Sequence, residues 1–523
     1  MSDPSSGSQS IAVRVEQTIS DHGDRVAVVS GGERITYAEL GERAHRFAAG
    51  LVAAGIGVGD RVAIWAPNSA EWVVSVLGLF RAGAVLVPVN TRFKGAEAAD
   101  ILGRSHARAL VTVTDFLDAN PLDLLAGADL PDLATTIVLA GPVPEGALAY
   151  DAVLAAGSTD DRSEVGRRVA ALTGDDPSDI LFTSGTTGKP KGVVQTQART
   201  LLVASDWTVM TGLAAGDRYL MVNPYFHMFG LKAGILASVL AGATMYPEPV
   251  FDVDRVLRTV AEEQITVLPG APTIYQSILD HPERDSYDLS SLRIAVTGAA
   301  DIPVSLIERI FAELPFELVV TGYGLTEGGT AAGTRLGDDP ETIATTVGRP
   351  RPGFELRIVD GDGNDLTAGE AGEVWLRGGS VMSHYLDDPE ATAEALDADG
   401  WLRTGDLGVV DDAGNLRIVG RSKDMFIVGG FNAYPAEIEN LLLGHPDIAE
   451  AAVIGIPDER LGEVGMAFVV PRQGAHVDDN EVVAWARDNM ANYKAPRRVE
   501  VVESLPRNAT GKVVKDDLRS RAG

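Results

Sequence analysis

Short β-branched runs alternate along the chain with longer amphipathic stretches rich in Ala, Leu and Glu. Residues 61–65, 84–89, 109–113 and 136–139 read as strands. Residues 37–54 and 70–82 read as helices, and Asn68 ahead of Ser69-Ala70-Glu71 marks the start of the second. Alternation of this kind predicts an α/β fold, with mainly parallel sheets covered by helices. The pattern changes late in the chain. Residues 356–359 and 372–376 read as short strands, and the Asp-Gly steps in Asp360-Gly361-Asp362-Gly363-Asn364 suit tight turns between them. A β-rich subdomain is therefore expected before residue 420, with a further stretch of about one small domain after it. The predicted organisation is a large N-terminal domain over 1–420, with mixed, mainly parallel sheets, helices and that subdomain. A small α+β domain over 421–523 follows. No repeat of solenoid period is present.

Length and composition narrow the picture. A chain of 523 residues, 45% of them hydrophobic, exceeds one ordinary domain and has ample core. The net charge of −30 disfavours nonspecific nucleic-acid binding and leaves room only for local basic sites. Without cysteine there is no disulfide framework, thiol nucleophile or thiolate metal site. The apolar run 73–80 ends at Arg81, far short of the roughly 20 residues of a membrane span. Residues 1–10 are polar and lack the basic start and apolar run of a signal peptide, so a cytoplasmic protein is expected.

The most informative segment is Asp179-Ile180-Leu181-Phe182-Thr183-Ser184-Gly185-Thr186-Thr187-Gly188-Lys189-Pro190-Lys191-Gly192. An apolar strand runs into a loop of glycine, hydroxyl and lysine residues. Such a loop brings backbone N–H groups, hydroxyls and positive charge against phosphate oxygens. It is not a Walker loop, because Pro190 follows Lys189. The hydrolase elbow Gly-x-Ser-x-Gly, the zinc motif His-Glu-x-x-His and the dinucleotide fingerprint Gly-x-Gly-x-x-Gly are absent.

This string resembles the phosphate loop of the adenylate-forming superfamily: acyl-CoA synthetases, luciferases and peptide-synthetase adenylation domains. Further motifs follow in that superfamily's order. They are Tyr323-Gly324-Leu325-Thr326-Glu327, Trp401-Leu402-Arg403-Thr404-Gly405-Asp406, Gly420-Arg421-Ser422-Lys423-Asp424, Gly429-Gly430-Phe431-Asn432-Ala433-Tyr434-Pro435 and Asn508-Ala509-Thr510-Gly511-Lys512. The resemblance runs from about Ile35 to the C-terminus. It implies a ligase that adenylates a carboxylic acid with ATP and Mg2+, then transfers the acyl group to coenzyme A.

The resemblance also implies site residues. Thr183, Ser184, Gly185, Thr186, Thr187, Gly188 and Lys191 would hold phosphates. Thr326 would meet the α-phosphate, and Glu327 would be the metal ligand. Gly298, Ala299, Ala300, Gly322, Tyr323 and Gly324 would border the nucleotide, with Tyr323 stacked on adenine. Asp406 would take the ribose diol, beside Arg421. Lys512 would bind carboxylate and phosphate during adenylation. Lys423 occupies the hinge of a mobile small domain, whose rotation would bring Gly429 and Gly430 to line the pantetheine tunnel. His227 would gate and orient beside the acyl group, in a pocket also walled by Gly230, Gly234, Gly298 and Gly322. At Gln197 relatives of this kind carry histidine, which bears on adenylation.

Residues 265–282 and 288–293 resemble more closely the actinobacterial ligases for polycyclic propanoates from steroid-ring degradation. That likeness implies a bulky fused-ring alkanoic acid, with a diterpenoid propanoate as the related choice. The expected partners are this acid, ATP and CoA, with no nucleic acid, no stable membrane insertion, and a homodimer left open. Two alternatives remain: loading of a carrier protein, and a half-enzyme confined to thioesterification.

Overall fold

The computed structural model describes residues 9–157, 162–183, 190–298, 302–428, 431–507 and 513–522. The strands expected from periodicity are present as Arg61–Trp65, Val85–Pro88, Ala107–Val113 and Thr135–Ala140. The helices Tyr37–Ala53 and Ala70–Ala82 are present as well. Thr36 and Glu39 form a capping box at the first. At the second it is Ser69, not Asn68, that accepts from the Trp72 N–H as the cap. The apolar run 73–80 is buried all round within this helix, as a core helix should be. Among the described residues no helix is long and apolar enough to cross a membrane.

Two large sheets carry the N-terminal part. The first runs Leu318–Val320, Ile294–Val296, Val267–Pro269, Arg218–Met221, Thr244–Pro247, Val26–Ser30, Glu33–Thr36 in spatial order. Its pairings are parallel except for the final hairpin. The second runs His384–Tyr385, Lys191–Thr196, Pro177–Thr183, Val85–Pro88, Arg61–Trp65, Ala107–Val113, Thr135–Ala140, Leu148–Ala149. It is parallel through its centre and antiparallel at the Lys191 edge. The buried helices Tyr37–Ala53 and Ala70–Ala82 belong to one apolar core shared with both sheets.

The late change of pattern corresponds to an antiparallel sheet of Phe354–Val359, Gly372–Gly378, Leu402–Val410 and Leu416–Arg421. A three-stranded sheet, Gly322–Leu325, Gly329–Gly333 and Arg349–Pro350, stands beside it. From Phe426 a separate sheet begins, built on the long hairpin of Ile448–Asp458 and Gly462–Pro471. The cluster around Phe426, Ile438, Val453 and Val469 draws only on residues from this C-terminal part. The fold is thus α/β, a large N-terminal unit followed by a small α+β one.

Candidate active site

The strand Pro177–Thr183 and the strand Lys191–Thr196 flank the phosphate loop and pair antiparallel, with Thr183 opposite Lys191. Ser184, Gly185, Thr186, Thr187 and Gly188, between them, lie outside the described residues. Arg104 pins both ends of the loop. Its guanidinium lies 5.3 Å from the centre of the Phe182 ring and donates to the Pro190 carbonyl at 2.6 Å.

Tyr385 joins two of the expected phosphate-site residues. It pairs with Val193 at the sheet edge. The Lys191 ammonium sits 4.9 Å from its ring centre, and its hydroxyl donates to Glu327 Oε1 at 2.9 Å. Burial, then the Glu327 charge, pushes the Tyr385 phenol far above its ordinary pKa, so it stays a donor. Met382 N–H donates to the Glu327 carbonyl at 2.6 Å. Glu327 Oε2 has no hydrogen bond among the described residues. Nor do those residues contain a cluster of three His, Cys, Asp or Glu. A lone carboxylate of this kind cannot cage a divalent ion unaided.

Beneath Thr326 lies Gln195, buried on the strand Lys191–Thr196. Its amide makes long contacts, 3.5 Å to the Thr326 carbonyl and 3.4 Å to that of Ser380. Gln195 was silent in the sequence, where attention fell on Gln197. Gln197 is fully buried, accepts from Ile11 N–H at 3.1 Å and donates to the Pro177 carbonyl at 3.3 Å. It ties the first helix, Ile11–His22, to the strand Pro177–Thr183.

Asp406 lies opposite Arg421 on neighbouring strands. Its Oδ1 meets Arg421 Nε at 3.0 Å, and its Oδ2 accepts from the Tyr323 hydroxyl at 2.5 Å. Burial, then the Asp406 charge, holds the Tyr323 phenol well above its usual pKa. Tyr323 therefore joins the three-stranded sheet to the antiparallel one through Asp406, a service its expected stacking on adenine did not include. Each carboxylate oxygen retains a lone pair for a further donor. Gly324 is exposed beside it.

On the acyl side, Asn68 braces the segment that leads to His227. Its amide donates to the carbonyls of Met221 and Asn223 at 2.9 and 3.0 Å, and its oxygen accepts from Tyr225 N–H at 2.8 Å. His227 Nδ1 accepts from Phe229 N–H at 3.2 Å, which leaves Nε2 to carry the proton of the neutral ring. A π-helix, Phe229–Leu236, follows. Helices of this type are rare and recur at functional sites. Its Lys232 is buried and meets Asp179 Oδ1 at 2.9 Å. Asp179 Oδ2 accepts from the Ser178 and Thr200 hydroxyls, both at 2.6 Å.

The small wall residues divide. A side chain on Gly230 would collide with the Pro224 carbonyl, so that glycine serves close backbone packing and adds no room for a ligand. One on Gly322 would press on the Ala332 carbonyl at 2.9 Å. At Gly234 the Met221 sulfur stands 3.2 Å from a Cβ position. Gly298 alone meets only ordinary contacts, the nearest being the Gly322 carbonyl at 3.7 Å, which places the two together. Ala299, Ala300, Gly429, Gly430 and Lys512 lie outside the described residues. Lys423, expected at the hinge, follows the last strand of the antiparallel sheet, and burial lowers its pKa.

Comparison with known proteins agrees in extent with this geometry. The model of the AMP-binding enzyme family matches residues 15–386, and that of the AMP-binding enzyme C-terminal domain matches residues 437–512. The 3-[(3aS,4S,7aS)-7a-methyl-1,5-dioxo-octahydro-1H-inden-4-yl]propanoyl:CoA ligase of Rhodococcus jostii is 49% identical over 504 residues, covering 95% of this chain and 96% of that protein. The ligase of the same name from Mycobacterium tuberculosis is 50% identical over 497 residues, with the same two coverages. A crystal structure of an anthranilate CoA ligase in complex with anthranoyl-AMP superposes with a TM-score of 0.89 at 29% identity. It covers 98% of this chain and 97% of that one.

Proposed function

Because the chain belongs to the AMP-binding enzyme family, we infer that it is an AMP-forming acyl-CoA ligase acting on a fused-ring propanoic acid that bears oxo groups. The observation that carries the ring is the near-half identity, spread over 95% of the chain, to two ligases named for one dioxo-octahydroindenyl propanoate. Carrier-protein loading and isolated thioesterification have no such support.

The reaction has two halves. In the first, the acid's carboxylate attacks the α-phosphorus of ATP and pyrophosphate leaves. Lys191 and the loop 184–189 hold the phosphates. Thr326, fixed from below by Gln195, donates to the α-phosphate. Asp406 takes the ribose diol while Tyr323 and Arg421 fix its orientation. Tyr323 also borders the adenine. Glu327, kept in place by Tyr385, would hold Mg2+, which takes few protein oxygens and completes its shell from phosphate and water. When bound there, Mg2+ supplies charge neutralisation to the phosphates. Lys512 brings positive charge to the carboxylate and phosphate oxygens, where charge is greatest in the transition state.

In the second half, the CoA thiol attacks the acyl carbon and AMP leaves. We place the hinge at Lys423, in the passage between the strand Leu416–Arg421 and the sheet that starts at Phe426. Rotation there withdraws Lys512 and presents Gly429 and Gly430 to the pantetheine arm. His227, its ring held by Phe229 N–H at Nδ1, orients the acyl group at the thiol entrance.

A panel of acids tests the reading. Dioxo-octahydroindenyl propanoate, palmitate and acetate are scored by ATP–pyrophosphate exchange and, separately, by CoA thioester formation. The ring acid is expected to exceed both others in kcat/KM for each half-reaction. Preference for palmitate or acetate removes the ring substrate and leaves the ligase; exchange without thioester points to another acceptor.

A further inference from the structure

Arg351 is a buried cation whose hydrogen bonds are unfilled. Its side chain is only 5% exposed. Asp206 pairs with Nη1 from one side, yet Nε and Nη2 have no acceptor among the described residues. The Phe354 ring lies 4.9 Å from the guanidinium carbon and offers its face, not a lone pair. Buried polar groups are almost always hydrogen-bonded, so two donor nitrogens without acceptors on a permanently charged group call for a partner.

The surroundings say where that partner comes from. Arg351 N–H donates to the Ala331 carbonyl at 3.0 Å, which sets its backbone against the strand Gly329–Gly333. The helix Gln197–Thr211 covers that strand. Val203 stands over Gly329 and Met210 over Gly333, since a Cβ on either glycine would run into them. Asp206 falls between Val203 and Met210 at helical spacing, on the same face. The other edge of the strand pairs with Gly322–Leu325, whose Gly322 adjoins Gly298. From its neighbouring position the helix sends Trp207 against Phe229 of the π-helix, the ring centres 5.1 Å apart. Arg351 therefore lies across one intervening strand from Gly322, two strand spacings or roughly 10 Å away. It lies behind the walls assigned above to the acyl group.

We propose that Arg351, held by Asp206, is a specificity-determining residue that donates Nε–H and Nη2–H to an oxo oxygen on the ring end of the acyl group, remote from the carboxylate. The inference rests on the fused-ring reading and adds the feature of the ring that is recognised. A planar, fixed fork of donors suits such an oxygen. A site built to hydrogen-bond a substrate oxygen discriminates strongly against the analogue lacking it, because its own donors are then left unpaired.

The test compares two acids, dioxo-octahydroindenyl propanoate and the same bicyclic propanoate with both oxo groups replaced by CH2. Each is measured for kcat/KM of CoA thioester formation at saturating ATP and CoA. The wild-type enzyme is expected to favour the dioxo acid by roughly 10- to 100-fold, the scale of a hydrogen bond to a charged group. In R351M, and in D206N/R351M, which leaves no uncompensated carboxylate, that ratio should collapse toward one, chiefly through KM for the dioxo acid. R351K, with a cation but no fork, should recover part of it. The wild-type ratio alone needs no variant to fold. A wild-type ratio near one overturns the proposal and leaves the fused-ring reading standing. So does a ratio that survives R351M, or an equal fall for both acids in folded variants. If wild type turns over neither ring acid, both readings fall.

Discussion

Two buried ion pairs, one at each side of the helix Gln197–Thr211, are built in opposite ways. In the first, Asp179 is fully buried; its Oδ1 lies at ion-pair distance, 2.9 Å, from the Lys232 ammonium with no hydrogen bond of its own among the described residues, and its Oδ2 accepts from the Ser178 and Thr200 hydroxyls. It joins the π-helix, the strand leading into the phosphate loop and the helix between them. In the second, Asp206 keeps some contact with water, and Arg351 uses one nitrogen and leaves two without acceptors. Buried charges persist only when paired and hydrogen-bonded. The first pair, with an ammonium and two hydroxyls on one carboxylate, is thus a fastening within the fold. The incomplete one has capacity to spare, which is what a recognition group needs before its ligand arrives.

The first way to break this contrast carries the largest expected effect. Lys232→Met strands the Asp179 charge and should cost about 3–5 kcal/mol of unfolding free energy, the scale for halving a buried pair. Urea unfolding measures it, and adding Asp179→Asn should restore most of the loss. A single variant within ~1 kcal/mol of wild type would show that the lysine is no fastening. Asp406 sharpens the comparison from between the extremes. Both its oxygens are engaged, but its partner Arg421 is largely exposed. Asp406→Ala should weaken ATP and acyl-adenylate binding by about 1.5–3 kcal/mol, read by calorimetry, and should cost about 1–3 kcal/mol of stability as the buried Tyr323 hydroxyl loses its acceptor. Unchanged affinity for both ligands would take Asp406 out of the site.

The smallest effect is a pH dependence peculiar to the second pair. Burial raises the Asp206 pKa above 3.8, and Arg351 offsets this only in part. A carboxyl raised in the folded state binds its proton more readily there than in the unfolded chain. Its charge therefore opposes folding above the raised pKa, and that opposition fades as pH falls toward 3.8. Unfolding of wild type and D206N/R351M across pH 4–7 should show wild type gaining on the double variant as the pH drops. A constant difference would mean that Asp206 is solvated well enough to belong with surface pairs.

Much of the fold was legible because it depends on neighbours in sequence. Continuous apolar, β-branched runs at residues 61–65 and 109–113 mark strands buried on both faces, and a stripe of buried positions in Tyr37–Ala53 reports which face of the helix meets the core. The site was legible for another reason: Tyr323, Thr326, Glu327, Asp406 and Lys191 stand in strings distinctive enough to be recognised one by one. Gln195, Tyr385 and Arg104 stand outside any such string, or at its margin. Each becomes important only through a partner distant in sequence, Thr326, Glu327 and Pro190 respectively. Gly230 shows the converse: its string matches the acyl wall, but only the structure reveals that the Pro224 carbonyl fills the direction a side chain would take.

By itself, then, the sequence determined the α/β class, the order of the motifs and the ligase chemistry that those motifs serve. Local periodicity and short strings carry that information without any need for distant contacts. Only the tertiary structure decided that Gln197 packs while Gln195 supports Thr326, that Tyr323 anchors Asp406, and that Lys232 is engaged where Arg351 is left wanting. Hydrogen-bond satisfaction is a property of atoms brought together by folding. The same lysine or arginine read along the chain carries no sign of which buried partner it will meet.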